Sequence, residues 1–368
     1  MKYHVAFLLP DLRIGGAQRV ILTLAKAFLQ KGVRVDLLVG LAEGGLLSDV
    51  PDGVQLLPLC TQNPRFGRAG LALGMLIKLK KYIRKEKPDA LLSTLTGTNL
   101  VAGIVKRFST SSTRLVIREA SRLANLRHNF YRLLMRHAYR WADVVVVLNS
   151  EMREEIQSEL MVPLSRVIEI RNPVDHKRLE EKSLAPLPRE FDVSVPYIVS
   201  VGRLAPPKDY ITLVRAFSRV VKEHHAKLII LGDGPDRDSI DEEVQNLSIG
   251  DYVYLQGYDI NPYRWMARSV LLVHSSRWEG YPNVIVEAQA LGLSIVVTEY
   301  DSTVFSLVRA GDRVVPEGDV EALTSAISAA LDENREAVRP GDLNINFDEK
   351  NIVEGREVID KYLEVLLG

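Results

Sequence analysis

Residues 274–292, His-Ser-Ser-Arg-Trp-Glu-Gly-Tyr-Pro-Asn-Val-Ile-Val-Glu-Ala-Gln-Ala-Leu-Gly, join the end of an apolar run to a short helix. Asn283 is a candidate N-cap and Gly292 a candidate stop, which predicts a buried, mostly apolar helix of about two turns. Glu287 falls in its first turn, where a buried carboxylate needs hydrogen-bond donors such as vicinal sugar hydroxyls. Glu279 lies in the preceding loop, where a helix N-terminus favours anions. The alternative is that both glutamates are ordinary charges on a solvated surface.

The same alternation of strand and helix extends through the rest of the chain. Several candidate strands, such as Val144–Leu148 and Leu228–Leu231, are almost wholly apolar, as is typical of strands covered on both faces. Together with amphipathic segments, they predict an α/β fold with parallel sheets and helices on both sides. The predicted strands are 3–9, 33–39, 89–94, 114–118, 143–148, 167–170, 196–201, 226–231, 252–255, 269–274, 294–297 and 313–315, and the main predicted helices are 17–31, 122–140, 210–224, 318–331 and 352–367.

A change in composition divides the chain into two halves. Proline-rich sequence near 182–196 is typical of a linker, and each half restarts with a strand and a glycine-bearing turn. The length of 368 residues suits two α/β domains better than one. We therefore predict a first domain at 1–182, a linker at 183–195, a second domain at 196–340 and a C-terminal helical segment at 341–368.

Composition excludes several classes of protein. With 46% hydrophobic and 26% charged residues, the chain is predicted to fold in water. A single cysteine, Cys60, excludes an internal disulfide and suits a reducing compartment. No apolar run approaches the roughly 18–20 residues that cross a bilayer, and the opening segment favours a first strand over a leader. These features predict a cytoplasmic protein.

The zero net charge hides a strong asymmetry. Residues 1–180 contain 28 basic and 16 acidic residues, a net of +12, which leaves 19 basic and 31 acidic residues, a net of −12, in the remainder. Within 65–140 the basic residues outnumber the acidic ones by 17 to 3. This asymmetry predicts an anionic partner for the first half, such as a phospholipid surface, a lipid-linked diphosphate or nucleic acid.

Cations also follow the first strand of the second half. Arg203 and Lys208 lie in a loop bent by Gly202 and two prolines, from which they could hold a diphosphate, the arginine with its fork and the lysine as a point charge. The alternative is two solvated surface cations. The turn Gly232-Asp233-Gly234-Pro235 follows the next strand, where we expect it to be structural.

These motifs together resemble the retaining glycosyltransferases of family 4. The resemblance covers nearly the whole chain and rests on Gly202-Arg203-x4-Lys208, Gly232-Asp233-Gly234-Pro235 and Glu279-x7-Glu287. It implies the GT-B fold, two facing Rossmann-like domains with parallel sheets and an interdomain cleft. It further implies that Arg203 and Lys208 hold the donor diphosphate, Glu287 the ribose and Glu279 the donor sugar, with Gly280 and Tyr281 near the sugar or phosphate and Gly257 and Tyr258 near the nucleobase.

The first half matches the family in part. Gly15 and Gly16, between a strand and a helix, resemble the family's opening loop, where the backbone approaches the donor, and Asn172-Pro173-Val174-Asp175 also fits the pattern. Many relatives carry a histidine in the loop that here contains Arg118 and Glu119. Either residue could replace it as a catalytic group, or the donor phosphate could serve as the base. A further departure is the segment 298–303, where relatives tend to have a glycine-rich turn and a glutamate.

Two basic segments suggest an acceptor or membrane surface. On a helical wheel, Arg122, Arg132, Arg136 and Arg140 fall on one side, and residues 71–87 pass from an apolar stretch into a basic one that contains Lys80 and Lys81. The alternative is ordinary helices with solvated basic faces. The resemblance extends here to family members that lengthen polyprenyl-diphosphate-linked glycans, which implies a peripheral position on the inner face of the cytoplasmic membrane.

The sequence therefore predicts a retaining transfer from a nucleotide sugar, UDP-linked by resemblance, to a hydroxyl of a lipid-linked or cell-surface polysaccharide precursor. No cofactor and no metal are expected. The alternatives are a nucleotide-sugar epimerase or an inverting transferase on the same fold, and a non-catalytic glycan- or membrane-binding subunit. A dehydrogenase is disfavoured because neither half shows the spaced glycines with a downstream acid. Nucleic-acid binding is disfavoured because no aromatic pattern accompanies the basic residues.

Overall fold

The computed structural model describes residues 3–60, 67–123, 129–189, 191–192, 194–334, 342–345 and 349–368. The chain divides into two compact units, Met1–Pro173 with Glu354–Gly368, and Val174–Val353. The division thus comes ahead of the segment 183–195 predicted as the linker, and the end of the C-terminal segment groups with the first unit. The predicted pair of Rossmann-like α/β units is confirmed.

A seven-stranded parallel sheet forms the centre of the first unit, in the order β3-β2-β1-β4-β5-β6-β7. Its strands are β1 (His4–Leu9), β2 (Arg34–Val39), β3 (Gln55–Pro58), β4 (Ala90–Thr94), β5 (Arg114–Arg118), β6 (Val144–Val147) and β7 (Val167–Glu169). The α-helices between them are α1 (Gly16–Gln30), α2 (Gly67–Glu86), α3 (Thr96–Arg107), α4 (Asn129–Tyr139) and α5 (Ser150–Leu160).

Burial explains which strands of this sheet are visible in the sequence. All four residues of β6 are buried, as their uniform apolar character predicts. The sequence prediction missed β3, which among the described strands pairs with β2 alone, is half-exposed and ends in a proline. Edge strands need no continuous apolar run, because one side of the strand has no neighbour in the sheet.

A six-stranded parallel sheet forms the centre of the second unit, in the order β10-β9-β8-β11-β12-β13. The strands are β8 (Tyr197–Val201), β9 (Lys227–Leu231), β10 (Val253–Gly257), β11 (Leu271–His274), β12 (Ile295–Glu299) and β13 (Arg313–Pro316). The helices are α6 (His176–Ser183), α7 (Tyr210–Val220), α8 (Arg237–Asn246), α9 (Tyr263–Met266), α10 (Asn283–Ala290) and α11 (Val320–Asn334).

The order of the strands sets where ligands can bind in each sheet. In the first unit β1 lies beside β4, and in the second unit β8 lies beside β11, so the chain reverses its direction of progress across the sheet at these pairs. The loops that follow such a pair diverge to opposite faces and leave a crevice at the carboxyl ends of the strands. In the second unit those two loops carry Arg203 and Glu279.

Two helices differ from their predicted form. The helix predicted at 122–140 begins at Asn129, so Arg122 lies before it, and residues 124–128 lie outside the described residues. The last helix, α12 (Glu349–Leu367), buries Tyr362 and Leu366 in the core of the first unit. No helix among the described residues combines the length and apolar character that spanning a membrane requires.

Candidate active site

The loop that follows β8 rests on the turn that follows β9, and two glycines allow the close approach. A Cβ on Gly232, whose φ is +147°, would lie 1.8 Å from the carbonyl oxygen of Gly202. A Cβ on Gly234 would lie 2.2 Å from the carbonyl oxygen of Leu204. Any larger residue at either position would displace the backbone that carries Arg203, so this turn has a structural role.

The two cations of the predicted diphosphate clamp have different surroundings. Arg203 is exposed, and its guanidinium forms no ion pair or hydrogen bond with any residue that the structure describes. Lys208 is half-buried, and its Nζ lies 2.5 Å from Oε1 of Glu279. Lys208 is therefore already paired with a carboxylate, whereas no other described residue uses the donors of Arg203.

Three donors converge on a single oxygen of Glu279. Oε1 accepts from Lys208 Nζ at 2.5 Å, from Ser276 Oγ at 2.7 Å and from His274 Nε2 at 2.9 Å. Within the described part of the chain, nothing donates to Oε2. The carboxylate is thus fixed through Oε1, and Oε2 is available as an acceptor.

These contacts set the charge states of the site. Burial alone would raise the pKa of Glu279, but the Lys208 charge and the bonds from His274 and Lys208 hold it well below its usual range. Burial lowers the pKa of His274, the nearby Lys208 charge lowers it further, and Glu279 only partly opposes them. At neutral pH the site therefore contains an ionised carboxylate beside a neutral imidazole.

Further bonds join the loop of Lys208 to the loop of Glu279. The backbone amide of Arg277 donates to the carbonyl of Pro207 at 2.8 Å, and its Nε lies 2.9 Å from Oδ2 of Asp209. Ser275 Oγ donates to the carbonyl of Lys208 at 2.8 Å. Because the two loops follow neighbouring strands, β8 and β11, these bonds form a short, stiff frame at the sheet edge.

Glu287 is supported by a tyrosine from another element. The α10 helix begins at Asn283 and has Pro282 at its N-cap position, so the predicted N-cap at Asn283 is wrong and Glu287 falls in the second turn. Gly292 has a φ of +79°, as expected for a residue that ends a helix. Glu287 is half-buried, and its Oε1 accepts a hydrogen bond from the Tyr263 hydroxyl at 3.0 Å.

The remaining predicted donor-binding residues of this unit lie on loops at the same sheet edge. Gly257 ends β10 with a φ of +79°, and the next residue, Tyr258, is exposed. Gly280 and Tyr281 are half-buried between Glu279 and α10. Among the residues described, no group of three or more His, Cys, Asp or Glu side chains is arranged to hold a metal ion.

In the first unit, the two glycines of the opening loop lie at the start of α1. Gly15 is the N-cap residue, in extended conformation, and Gly16 begins the helix. A Cβ on Gly15 would lie 2.5 Å from Oε1 of Gln18, whose Nε2 donates to Asp11 at 3.3 Å. The absence of a side chain at Gly15 therefore allows Gln18 to fold back over the loop.

Glu119, a candidate catalytic group, lies in the interior of the first unit. Only 1% of the residue is exposed, and both carboxylate oxygens are bonded. Oε1 accepts from the amides of Ala120 and Ser121 at 3.0 and 3.1 Å, and Oε2 accepts from the Tyr139 hydroxyl. Burial raises the pKa of Glu119 although these bonds oppose the shift. Both oxygens of this carboxylate are thus bonded inside the unit, and the residue is closed to solvent.

Its neighbour Arg118 is also buried, and each of its three guanidinium nitrogens forms a hydrogen bond. Nε lies 3.1 Å from the Tyr362 hydroxyl of α12 and Nη1 lies 3.0 Å from Thr94 Oγ1. Nη2 donates to Oδ1 of Asn172, in the Asn172-Pro173-Val174-Asp175 segment. Arg118 thus connects β4, β5, the end of the first unit and the C-terminal helix.

Two family models match the chain. The model described as "Glycosyltransferase Family 4" matches residues 14–178, and the model described as "Glycosyl transferases group 1" matches residues 195–333. The chain belongs to glycosyltransferase family 4. Each match lies mainly within one of the two units, so the family assignment rests on both halves of the molecule.

Similar proteins agree with this assignment. An uncharacterised glycosyltransferase of Methanocaldococcus jannaschii is 28% identical over 60% of this chain and 58% of its own length. A Campylobacter jejuni N-acetylgalactosaminyltransferase, whose name gives a diphospho-undecaprenol-linked substrate, is 28% identical over 61% of this chain and 62% of its own length. The alignments thus span about three fifths of these curated relatives.

A solved structure supports the fold over the full chain. The Anabaena protein HepE, in complex with UDP and glucose, superposes with a TM-score of 0.78 at 17% identity and covers 98% of this chain and 100% of its own. The predicted GT-B class is confirmed by this likeness together with the two parallel sheets.

The basic stripe predicted for this family 4 glycosyltransferase is only partly present. Arg122 forms ion pairs with Glu151 and Glu155 at 2.5 and 2.8 Å, and Arg132 pairs with Glu159 at 3.1 Å. The acidic partners come from α5, which the count over 65–140 did not include. Arg122 and Arg132 are therefore neutralised, and the expectation that all four arginines form one basic face is wrong.

Other basic residues of the first unit remain on the surface. Arg136 of α4 is exposed, as are Arg140, which directly follows that helix, and Lys80 and Lys81 of α2. Large apolar side chains are exposed on the same helices, with 52% of Leu133 and 62% of Ile77 accessible. The surface of the first unit thus combines exposed basic and exposed apolar side chains, as the sequence predicted, but on fewer residues.

The sequence prediction missed two residues of the site in the second unit. The sequence prediction gave His274 no part in the site, although it is the one ionisable residue in the strand Leu271–His274 and lies shortly before Glu279. That position, at the carboxyl end of an apolar strand, is the signal that could have identified it. Tyr263 gave no signal, because its contact with Glu287 joins elements that are far apart in sequence.

Proposed function

We propose that this chain transfers a sugar, with retention of anomeric configuration, from a UDP-sugar to a hydroxyl of a lipid-linked or cell-surface polysaccharide precursor. The observation that carries the proposal is the arrangement around Glu279. This carboxylate is fixed through one oxygen, and Arg203, which pairs with no described residue, lies on the neighbouring loop of the same sheet edge. A nucleotide sugar presents hydroxyls and a diphosphate, which are the groups that a carboxylate and a guanidinium bind.

Each residue has a distinct part in the proposed reaction. Glu287 binds the ribose hydroxyls, and Oε2 of Glu279 accepts a hydrogen bond from the donor sugar. As the acceptor hydroxyl attacks from the face that the diphosphate leaves, negative charge grows on the leaving oxygens. Arg203 stabilises that charge, and Lys208 contributes from its place beside Glu279. The donor phosphate takes the acceptor's proton, since both oxygens of Glu119 are bonded internally.

The names of similar proteins support the choice of donor and acceptor. HepE has been solved with UDP and with UDP-glucose, and the Campylobacter relative is named for a diphospho-undecaprenol-linked substrate. The test is a panel of UDP-, GDP- and ADP-sugars, screened first for thermal stabilisation and then for transfer to a polyprenyl-diphosphate-linked acceptor. A ligand at 100 times its Kd should add about 2.7 kcal/mol of stability.

The configuration of the product separates the alternatives. Nuclear magnetic resonance of the new glycosidic bond should show the anomeric configuration of the donor. The opposite configuration would indicate an inverting transferase, and a change in the free donor without transfer would indicate an epimerase. Binding of a UDP-sugar without any turnover would favour a non-catalytic subunit.

We further propose that turnover needs no metal ion or other cofactor. The donor loop presents Arg203 and Lys208 where a metal-dependent transferase would place carboxylates to bridge the ion and the diphosphate. Transfer by metal-stripped protein in excess EDTA should stay within about twofold of the untreated rate. A loss of tenfold or more, equal to about 1.4 kcal/mol and restored by Mg²⁺ or Mn²⁺, would contradict this.

We also propose that the first unit attaches to the inner face of the cytoplasmic membrane through exposed basic residues of α2 and of the C-terminal end of α4, where Arg140 directly follows the helix. Lys80, Lys81, Arg136 and Arg140 would face anionic headgroups, and the adjacent exposed apolar side chains would enter the interface. Flotation with phosphatidylglycerol vesicles should exceed flotation with phosphatidylcholine vesicles and fall with salt, because charges are screened over about 10 Å at 0.1 M.

Charge reversal tests that attachment directly. Changing Lys80, Lys81, Arg136 and Arg140 to Glu should abolish flotation with anionic vesicles. Lys222→Glu, a single charge reversal at an exposed position in the second unit, is the control for a change outside this surface and should leave flotation unchanged. Equal recovery on the two vesicle types by the unaltered protein would contradict the proposal.

A further inference from the structure

His274 is a polar side chain inside an apolar strand. It is the last residue of β11, only 2% of it is exposed, and the other residues of the strand are all buried and aliphatic. A buried imidazole without hydrogen bonds is destabilising, so its partners indicate why it is there. Those partners are Glu279 and Ser276.

The hydrogen-bond pattern fixes how this histidine is protonated. Ser276 Oγ donates to Glu279 Oε1, and His274 Nε2 lies 2.9 Å from the same oxygen and 3.0 Å from Ser276 Oγ. An ionised carboxylate only accepts, so the His274 nitrogen facing it must carry a proton. The lowered pKa of His274 makes the ring neutral at pH 7, with its single proton on Nε2.

The donors on Glu279 differ in how freely they can move. Lys208 extends from a loop on a flexible stem, and a bound diphosphate would compete with Glu279 for its charge. His274 is held in a strand, and Ser276 is also buried. The two buried donors can therefore keep Oε1 in place when Lys208 turns toward the diphosphate.

We propose that His274 is a positioning residue for donor-sugar recognition. With Ser276 it holds Oε1 of Glu279 while Lys208 is shared with the diphosphate, so that Oε2 stays directed at one hydroxyl of the sugar. This inference rests on the proposed role of Glu279 in binding the donor sugar. It assigns His274 to selection of the sugar and gives it no part in binding the nucleotide.

The test measures the affinity of His274 variants for UDP and for a panel of UDP-glucose, UDP-galactose, UDP-N-acetylglucosamine and UDP-N-acetylgalactosamine. His274→Leu keeps the apolar strand but removes the donor, and His274→Gln offers an amide N–H in a similar place. For the UDP-sugar that the unaltered protein binds most tightly, His274→Leu should raise the Kd about tenfold and leave the Kd of UDP within twofold. His274→Gln should restore at least half of this loss of affinity, measured as the change in the logarithm of the Kd.

A histidine remote from the site provides the control. His224→Gln, where Nδ1 lies 3.9 Å from Asp332, should change neither affinity. Equal weakening of UDP and UDP-sugar binding by His274→Leu would show a general structural role and overturn the inference, as would unchanged affinity for every sugar.

Glu279→Gln separates this inference from the proposal on which it rests. If Glu279→Gln weakens UDP-sugar binding and His274→Leu does not, only the role of His274 is overturned. If Glu279→Gln leaves UDP-sugar affinity unchanged, the assignment of Glu279 to the donor sugar fails, and the role of His274 fails with it.

Discussion

The carboxyl edges of the two sheets carry similar polar residues in different arrangements. In the first unit, Glu119 follows β5 and is bonded through both oxygens, to Tyr139 and to two backbone amides. In the second unit, Glu279 follows β11 and is bonded through one oxygen only, among the residues described. The neighbouring arginines differ in the same way, since Arg118 is buried with its three nitrogens engaged, whereas Arg203 is exposed and has no ion-pair partner among the described residues.

This comparison shows how the same kind of α/β sheet can hold charged residues that stabilise the fold and charged residues that can bind a ligand. Buried polar groups that satisfy one another add rigidity and leave nothing for a ligand. Polar groups held firmly on one side and left open on the other are arranged for a partner that the chain itself does not supply. The pKa of Glu119 is raised by burial, whereas that of Glu279 is lowered by its cationic partner, so only Glu279 is strongly held as an anion.

The largest expected effect is the loss of transfer activity on substitution of Arg203. Arg203→Ala should lower kcat on the order of a hundredfold, because charge stabilisation of the leaving diphosphate is lost. Arg203→Lys should also be impaired, since the fork geometry is absent. The control is Arg215→Ala, an exposed arginine of the same unit that pairs with Glu243, and it should stay within about twofold. Normal turnover in both Arg203 variants would show that this cation is ordinary surface charge.

Loss of the carboxylate on α10 should act on binding. Glu287→Ala is expected to weaken UDP affinity by roughly 1.5–3 kcal/mol, the range for a hydrogen bond to a charged group. Isothermal titration calorimetry measures the change, with Glu242→Ala on the exposed side of α8 as the control. A folded Glu287→Ala protein with unchanged UDP affinity would exclude this residue from the nucleotide site.

Removing the buried carboxylate of Glu119 should lower the stability of the protein and leave nucleotide binding unchanged. Glu119→Ala leaves the buried Tyr139 hydroxyl and two backbone amides without their acceptor, which should lower the free energy of unfolding by about 2 kcal/mol. The UDP affinity of the folded protein should be unchanged. Glu154→Ala, exposed on α5, is the control for urea unfolding. A loss of transfer activity in Glu119→Ala without a loss of stability would return Glu119 to the catalytic candidates.

The smallest expected effect is on stability, and it is measured by comparing two buried tyrosines of the second unit. The Tyr197 hydroxyl donates to the carbonyl of Trp265 at 2.8 Å, whereas the Tyr300 hydroxyl is buried with no hydrogen-bond partner in the described part of the chain. Tyr197→Phe should lower the free energy of unfolding by about 1 kcal/mol, and Tyr300→Phe should leave it unchanged or raise it. Thermal unfolding of both variants measures this, and a larger loss in Tyr300→Phe would contradict the assigned contacts.

Much of the fold could be predicted because it depends on local pattern. Continuous apolar runs such as Val144–Val147 identify strands covered on both faces, and the helices between them have their own periodicity. The edge strand Gln55–Pro58 was missed because its half-exposed residues carry no such pattern. The start of α4 was misplaced because amphipathic spacing continues through residues that precede the helix.

The sequence by itself determined the α/β class, the two-unit organisation and the motif that contains Glu279 and Glu287, since each depends on spacing along one stretch of chain. Only the tertiary structure decided which charges are paired. The bonds of Glu279 to Lys208, of Arg122 to α5 and of Arg118 to Tyr362 join segments that are distant in sequence. A count of net charge includes every charged residue, whether or not it forms an ion pair. Which residues form ion pairs depends on which loops and helices meet in the folded protein. For that reason the sequence could list the charged candidates. Only the fold could separate the groups that are bonded inside the protein from those that can still bind a ligand.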